Sequence, residues 1–231
     1  MIILNKKRIL FVIFAITISI FSSINKNILP TSSIPVSSHI VVLDAGHGFP
    51  DGGATSNDGT EEANINLDIV QKIQKLLEAS GCCVILTRSD ENGIYDFDAK
   101  SKKKSDLINR TKIANESNGE IFISIHLNKI NISNCSGWQT FYQPTSKNSK
   151  ELANYIQSNL NTTIENNKSR EILPLTDKYL MDNVKIPTVT VECGFLSNAI
   201  DLSNLKTPSY QEKLAWGIYQ GIIDYFSSTM I

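Results

Sequence analysis

Two of the three histidines in this 231-residue chain sit where β-strands are expected to end, His47 in L-D-A-G-H-G and His126 in S-I-H-L-N. In open α/β sheets ligand sites gather beyond the carboxyl ends of strands, so imidazoles far apart in sequence can meet there. Two carboxylates have matching positions. Glu192 closes the apolar run P-T-V-T-V-E, and a lone acid buried at a strand end is costly unless a cation or a catalytic role accounts for it. Glu62 shares a helical face with Ile65 and Ile69, whereas Glu61 is rotated by about 100° from it. Two histidines and one glutamate suit a catalytic zinc, which keeps three protein ligands and leaves the fourth position to water. A second carboxylate that is not a ligand then serves as general base. The competing reading makes Glu61 and Glu62 first-turn acids that complement a helix dipole, and the histidines ordinary core or surface residues. His39, at the start of the folded region, is incidental.

Other chemistries fare worse. No G-x-S-x-G nucleophile elbow occurs. Side chains alternate along a strand, so Cys193 faces away from Glu192, which argues against a Cys–His pair. The loop A-G-H-G-F-P-D-G-G lets backbone approach a ligand closely, but neither G-x-G-x-x-G nor G-K-[ST] is present.

The elements that must position these residues alternate in type. Strands are expected at 39–44, 82–87, 121–125, 137–142 and 188–192, and helices at 62–80, 105–115, 148–164 and 209–226. This order predicts a single α/β domain over 39–231, with a mostly parallel twisted sheet of about six strands and helices on both faces. The charged stretch 89–104, including Lys102–Lys104, reads as an exposed, solvated loop.

With 41% hydrophobic residues, 22 basic and 23 acidic residues and a net charge of -1, the chain can build one core and has no global attraction for nucleic acid. Lys6, Lys7 and Arg8 precede an uncharged apolar run, Ile9 to Phe21. Residues 1–24 therefore read as a signal peptide or membrane anchor, and 25–38 as a Ser- and Pro-containing linker. Either outcome exports the domain, and membrane contact is expected only through this segment. The four cysteines are too poorly placed for a disulfide framework. Adjacent Cys82 and Cys83 fall in the apolar run C-C-V-I-L, which reads as a buried strand, and all four are expected as small hydrophobes or free thiols.

Taken in order, L-D-A-G-H-G-F-P-D-G-G-A, the E-x-N-I-N-L helix start, D-L-I-N-R-T-K-I-A-N, S-I-H-L-N and V-E-C-G-F-L-S-N resemble the zinc-dependent N-acetylmuramoyl-L-alanine amidases of the amidase-3 type across residues 40–226. The resemblance implies one zinc ion held by His47, Glu62 and His126, with Glu192 as catalytic base. It implies hydrolysis of the amide between the muramic acid lactyl group and L-alanine in peptidoglycan. Ala63 stands where members usually carry Lys, which keeps Glu61 as a minor rival of Glu62. Asn128 could orient substrate; Arg110 could bind peptide carboxylates or brace its own loop, the latter being preferred. The short layout resembles germination-related amidases of the spore cortex that help form muramic δ-lactam, which would place the chain in the intermembrane space of a developing spore and leaves room for an activating protein partner. A zinc carboxypeptidase or aminopeptidase on a related fold and a non-catalytic wall-binding domain remain as alternatives.

Overall fold

A computed structural model describes residues 37–132, 134–164 and 170–229. Nearly all of the proposed leader and linker lies outside these residues. The runs of Val, Ile and Leu form the strands, which are β-branched and apolar as a sheet covered on both faces requires. Six strands, β1 (Ile40–Ala45), β2 (Cys83–Leu86), β3 (Ile121–Asn128), β4 (Gln139–Tyr142), β5 (Leu173–Pro174) and β6 (Thr188–Phe195), make one sheet in the order β2-β1-β3-β6-β4-β5. Strands β2, β1, β3 and β6 run parallel, and β4 is antiparallel to β6.

The helices among the described residues are α1 (Glu62–Ala79), α2 (Lys102–Glu116), α3 (Lys147–Thr163), α4 (Tyr179–Asn183), α5 (Ala199–Leu205) and α6 (Pro208–Thr229). Alternation along the strands divides the core. Val41, Leu43, Ile123, Ile125, Val189 and Val191 point to the face covered by α1, α3 and α6. Val42 and Phe122 point to the opposite face, against Ala114 of α2 and Val184. The expected single α/β domain, mostly parallel with helices on both faces, is the observed architecture.

Several expected boundaries move. Lys102–Lys104 form the first turn of α2, because Ser101 caps it by accepting from the Lys104 amide at 3.3 Å; the cap and the good helix propensity of Lys outweigh the local charge. Strand β2 is an edge strand with an exposed Cys83, since it has β1 alone as a neighbour. Strands β3 and β6 continue beyond His126 and Glu192, so both residues stand inside strand ends. The short β5, α4 and α5 carry too few residues to show a period.

Helices α3 and α6 pack closely. A Cβ on Gly221 would lie 2.5 Å from the Ile156 Cα and 2.8 Å from its amide nitrogen, and backbone cannot turn aside as a side chain can. Gly221→Val is expected to destabilise the domain by about 3 kcal/mol, the upper part of the usual overpacking cost. Thermal unfolding checks this, and an unchanged melting temperature would mean that the two helices separate freely.

Candidate metal centre

Strand β1 hands the chain to a loop pinned at both ends: the Gly46 amide still pairs with Ile125 O at 3.0 Å, and Gly48 and Asp51 exchange two backbone bonds of 2.9 Å. Between them His47 adopts φ +63°, a left-handed conformation that a non-glycine residue seldom takes and that sites often exploit. Its ring is directed at the start of α1, with Nε2 3.4 Å from Glu62 Oε1 and Nδ1 3.2 Å from Asp51 Oδ2. From β3, His126 Nδ1 lies 2.9 Å from the same Glu62 oxygen. Ligand atoms of His47, Glu62 and His126 all lie within 4.8 Å of one another.

Two glycines make this approach possible. A Cβ on Gly46 would sit 2.3 Å from the His126 ring, and one on Gly53 would sit 2.7 Å from both Glu62 Oε2 and the His47 ring. Glu62 is 3% exposed and is oriented by the amides of Leu127 (3.0 Å, to Oε1) and Ala54 (2.9 Å, to Oε2). Burial alone would raise its carboxyl, but the two histidines more than offset that and hold it below the carboxylate range. Glu61 is exposed at the helix start and is not part of the cluster.

Glu192 enters from the side. It is the Cα partner of His126 on the neighbouring parallel strand and of Gln139 on β4, so His126, Glu192 and Gln139 form a row on one face of the sheet. Cys193, pointing the other way, is fully buried in the core. Glu192 Oε2 is buried without a hydrogen-bond partner. Burial, reinforced by the charge of Glu62, pushes this carboxyl above its ordinary range against the opposing pull of His126 and His47.

A fixed His/Glu/His donor set with a desolvated acid beside it is the arrangement of a metal-assisted hydrolase. The family described as N-acetylmuramoyl-L-alanine amidase (Amidase_3) matches residues 41–224. The chain belongs to this family. The amidase is 38% identical over 198 residues to the germination-specific N-acetylmuramoyl-L-alanine amidase of Bacillus subtilis (strain 168), covering 84% of this chain and 83% of that protein. It is 33% identical to the B. subtilis amidase LytC over 83% of this chain and 36% of that longer protein. Among solved structures, it resembles the CwlD amidase of Clostridioides difficile, determined in complex with the GerS lipoprotein, with a TM-score of 0.80 and 42% identity over 83% of this chain and all of that one. As a member of this family the chain is an N-acetylmuramoyl-L-alanine amidase acting on peptidoglycan.

The remaining site candidates fall differently in this amidase. Asn128 ends β3, its carbonyl accepting from the Leu196 amide at 2.8 Å, and among the described residues no side-chain bond engages its carboxamide. Arg110 is 1% exposed and occupied by the protein itself: it donates to Asp44 Oδ1 (2.6 Å), Ala45 O (2.7 Å), His47 O and Asp106. It thus braces the His47 loop. Its partner Asp44, fully buried, also accepts from Thr87 and Ser124. Burial would raise the Asp44 carboxyl, but Arg110 and these hydroxyls hold it below its ordinary value.

Sequence reasoning passed over Asp44, Arg88 and Asp51. Arg88 donates to the carbonyls of Ala45, Gly46 and Ala63, joining the loop to the first turn of α1. The signal for Asp44 was present, an acid inside an apolar strand. Lys103 is solvated as expected, its side chain 70% exposed, and from the first turn of α2 it also borders the cleft that touches His47 and His126, 3.5 Å from Asp51.

Proposed function

We propose that this chain is a zinc-dependent amidase that works outside the cytoplasmic membrane on spore cortex peptidoglycan, cleaving the bond between the lactyl group of N-acetylmuramic acid and L-alanine. The observation that carries the reading is the unpartnered, buried Glu192 Oε2 next to the convergence of His47, Glu62 and His126. Two imidazoles and a carboxylate match zinc's preference for nitrogen and oxygen donors in catalytic sites, and the backbone amides on Glu62 fix it as an outer shell should. Zinc bound there would polarise the scissile carbonyl and bring the pKa of a bound water to about 7.

The protein's own groups do the rest. Glu192 takes a proton from the attacking water at Oε2, and burial raises its basicity for that transfer. It then returns the proton to the L-alanine nitrogen as the amide breaks. His47 and His126 keep the metal side of the cleft fixed, with Asp51 holding the far nitrogen of His47. Asn128, with its carboxamide uncommitted, orients the substrate.

Cortex action and export rest on the germination-specific B. subtilis relative and on the basic-then-apolar start of the chain. The GerS complex of the C. difficile relative supports a protein partner for this chain as well.

The test is metal analysis of the purified protein together with mass spectrometry of digested peptidoglycan. One zinc per chain is expected, with loss of activity on chelation and recovery on zinc addition. The product should be a stem peptide bearing a free L-alanine amine. Release of single amino acids would make the protein a peptidase, and muropeptide binding without turnover would make it a wall-binding domain.

A further inference from the structure

The row that carries Glu192 ends on a cation that the proposed reaction does not use. Gln139 follows Glu192 in that row, one strand spacing of about 4.8 Å away. Its Oε1 accepts from Arg170 Nη1 at 3.3 Å and its Nε2 donates to Glu171 O at 3.0 Å, so Gln139 clamps the 170–171 segment to the sheet. Arg170 Nη2 donates to Ser136 O at 3.2 Å, and the guanidinium lies 5.0 Å from the centre of the Phe195 ring. The side chain is half-buried.

What distinguishes Arg170 is a part-exposed guanidinium that has neither an anion nor a full set of carbonyl partners. Arg110 is neutralised by Asp44 and Asp106, and Arg88 sits beneath them with its donors on carbonyls. Arg170 meets one amide oxygen and one carbonyl, and among the described residues it takes part in no ion pair. Two of its five donors are engaged, while the ring and the Gln139 amide hold its plane. A guanidinium so arranged is prepared for a carboxylate, which it binds through two parallel hydrogen bonds.

The substrate supplies that group. The leaving peptide starts at the scissile nitrogen, and in peptidoglycan stems the residue after L-alanine carries a carboxyl that is either free or amidated. One residue of extended chain spans about 3.3–3.6 Å, a reach comparable with the single strand spacing that separates Glu192 from Gln139, the partner of Arg170. We propose that Arg170, positioned by Gln139 and Phe195, binds a free carboxylate on the leaving stem peptide and makes the enzyme select unamidated stems. The proposal rests on the amidase reading above and adds the chemical class of stem accepted.

Two muropeptides that differ only in a free or amidated carboxyl after L-alanine provide the test. The wild-type protein is expected to favour the free acid in kcat/KM by roughly tenfold or more, the usual worth of a charge-assisted bond. Arg170→Gln should erase the preference by raising KM for the acid, leaving the amidated substrate within about twofold of wild type, and Arg170→Lys should restore part of it. An equal loss on both substrates would assign Arg170 a purely structural role and overturn the proposal, as would a preference that survives in Arg170→Gln. Calorimetry with the wild-type protein and two product dipeptides whose γ-carboxyl is amidated in both, L-alanyl-D-glutamine with a free α-carboxyl and its α-amide, needs neither a folded variant nor turnover. Tighter binding of the acid by a similar factor is expected, and equal or weaker binding would sink the idea. Absence of turnover on both muropeptides would count against the amidase reading, while the calorimetric result still decides the role of Arg170.

Discussion

Glu192→Gln is expected to lower kcat by roughly 10²–10⁴-fold, the usual contribution of a positioned general base, while the protein keeps one zinc and its melting temperature. The substitution is nearly isosteric and removes the single basic oxygen, Oε2, that the fold buries without a partner. Because Glu192 is not part of the cluster formed by His47, Glu62 and His126, metal content should not follow activity. Folding should hold or improve slightly, since burial already disfavours the charged form of this carboxyl. Steady-state kinetics on a muropeptide, paired with metal analysis of the same sample, separates the two effects. Near wild-type turnover would remove Glu192 from the mechanism, and loss of zinc in step with activity would move it into the ligand set. Glu62→Gln should behave in the opposite sense, losing metal first.

That the four residues meet was legible because two simple periods carry the information. Alternation along V-T-V-E-C places Glu192 on the face opposite Cys193, and helical spacing from Glu62 to Ile65 and Ile69 turns Glu62, not Glu61, toward the sheet. The parallel sheet then aligns strand ends, and the register pairs His126 with Glu192. What was hidden depends on contacts between elements that no period encodes. Asp44 carries the same warning as Glu192, an acid among apolar strand residues, yet its answer lies 66 positions away on α2. The direction of β4 was equally hidden, since alternation reads the same for parallel and antiparallel strands, and with it the place of Gln139 beside Glu192. Arg170 follows a stretch without any apolar pattern, so only the register of β4 gives it a neighbourhood.

The second large effect concerns Arg110, which joins stability to the site. Arg110→Met should cost about 3–5 kcal/mol, because it leaves Asp44 as an uncompensated charge in the interior; at about 2–4 °C per kcal/mol for a domain of this size, the melting temperature should fall by roughly 10 °C. The pH dependence has a definite sign. In the wild type the Asp44 carboxyl lies below its ordinary value of 3.8, so the stabilisation is complete above that value and is lost as pH falls through the lower folded value. In Arg110→Met burial acts without the opposing charge and raises the carboxyl, so the penalty is full near neutrality and is relieved on acidification. The stability gap between the two proteins, measured by urea unfolding, should therefore narrow as pH approaches 3.8. A gap that does not change with pH would mean that lost packing, rather than the stranded carboxylate, explains the defect. Replacing both partners, Asp44→Asn with Arg110→Met, should recover part of the loss, since position 44 then no longer carries a stranded charge. Zinc affinity should recover less, because Arg110 also donates to the carbonyl of His47, and nothing in the double variant replaces that donor.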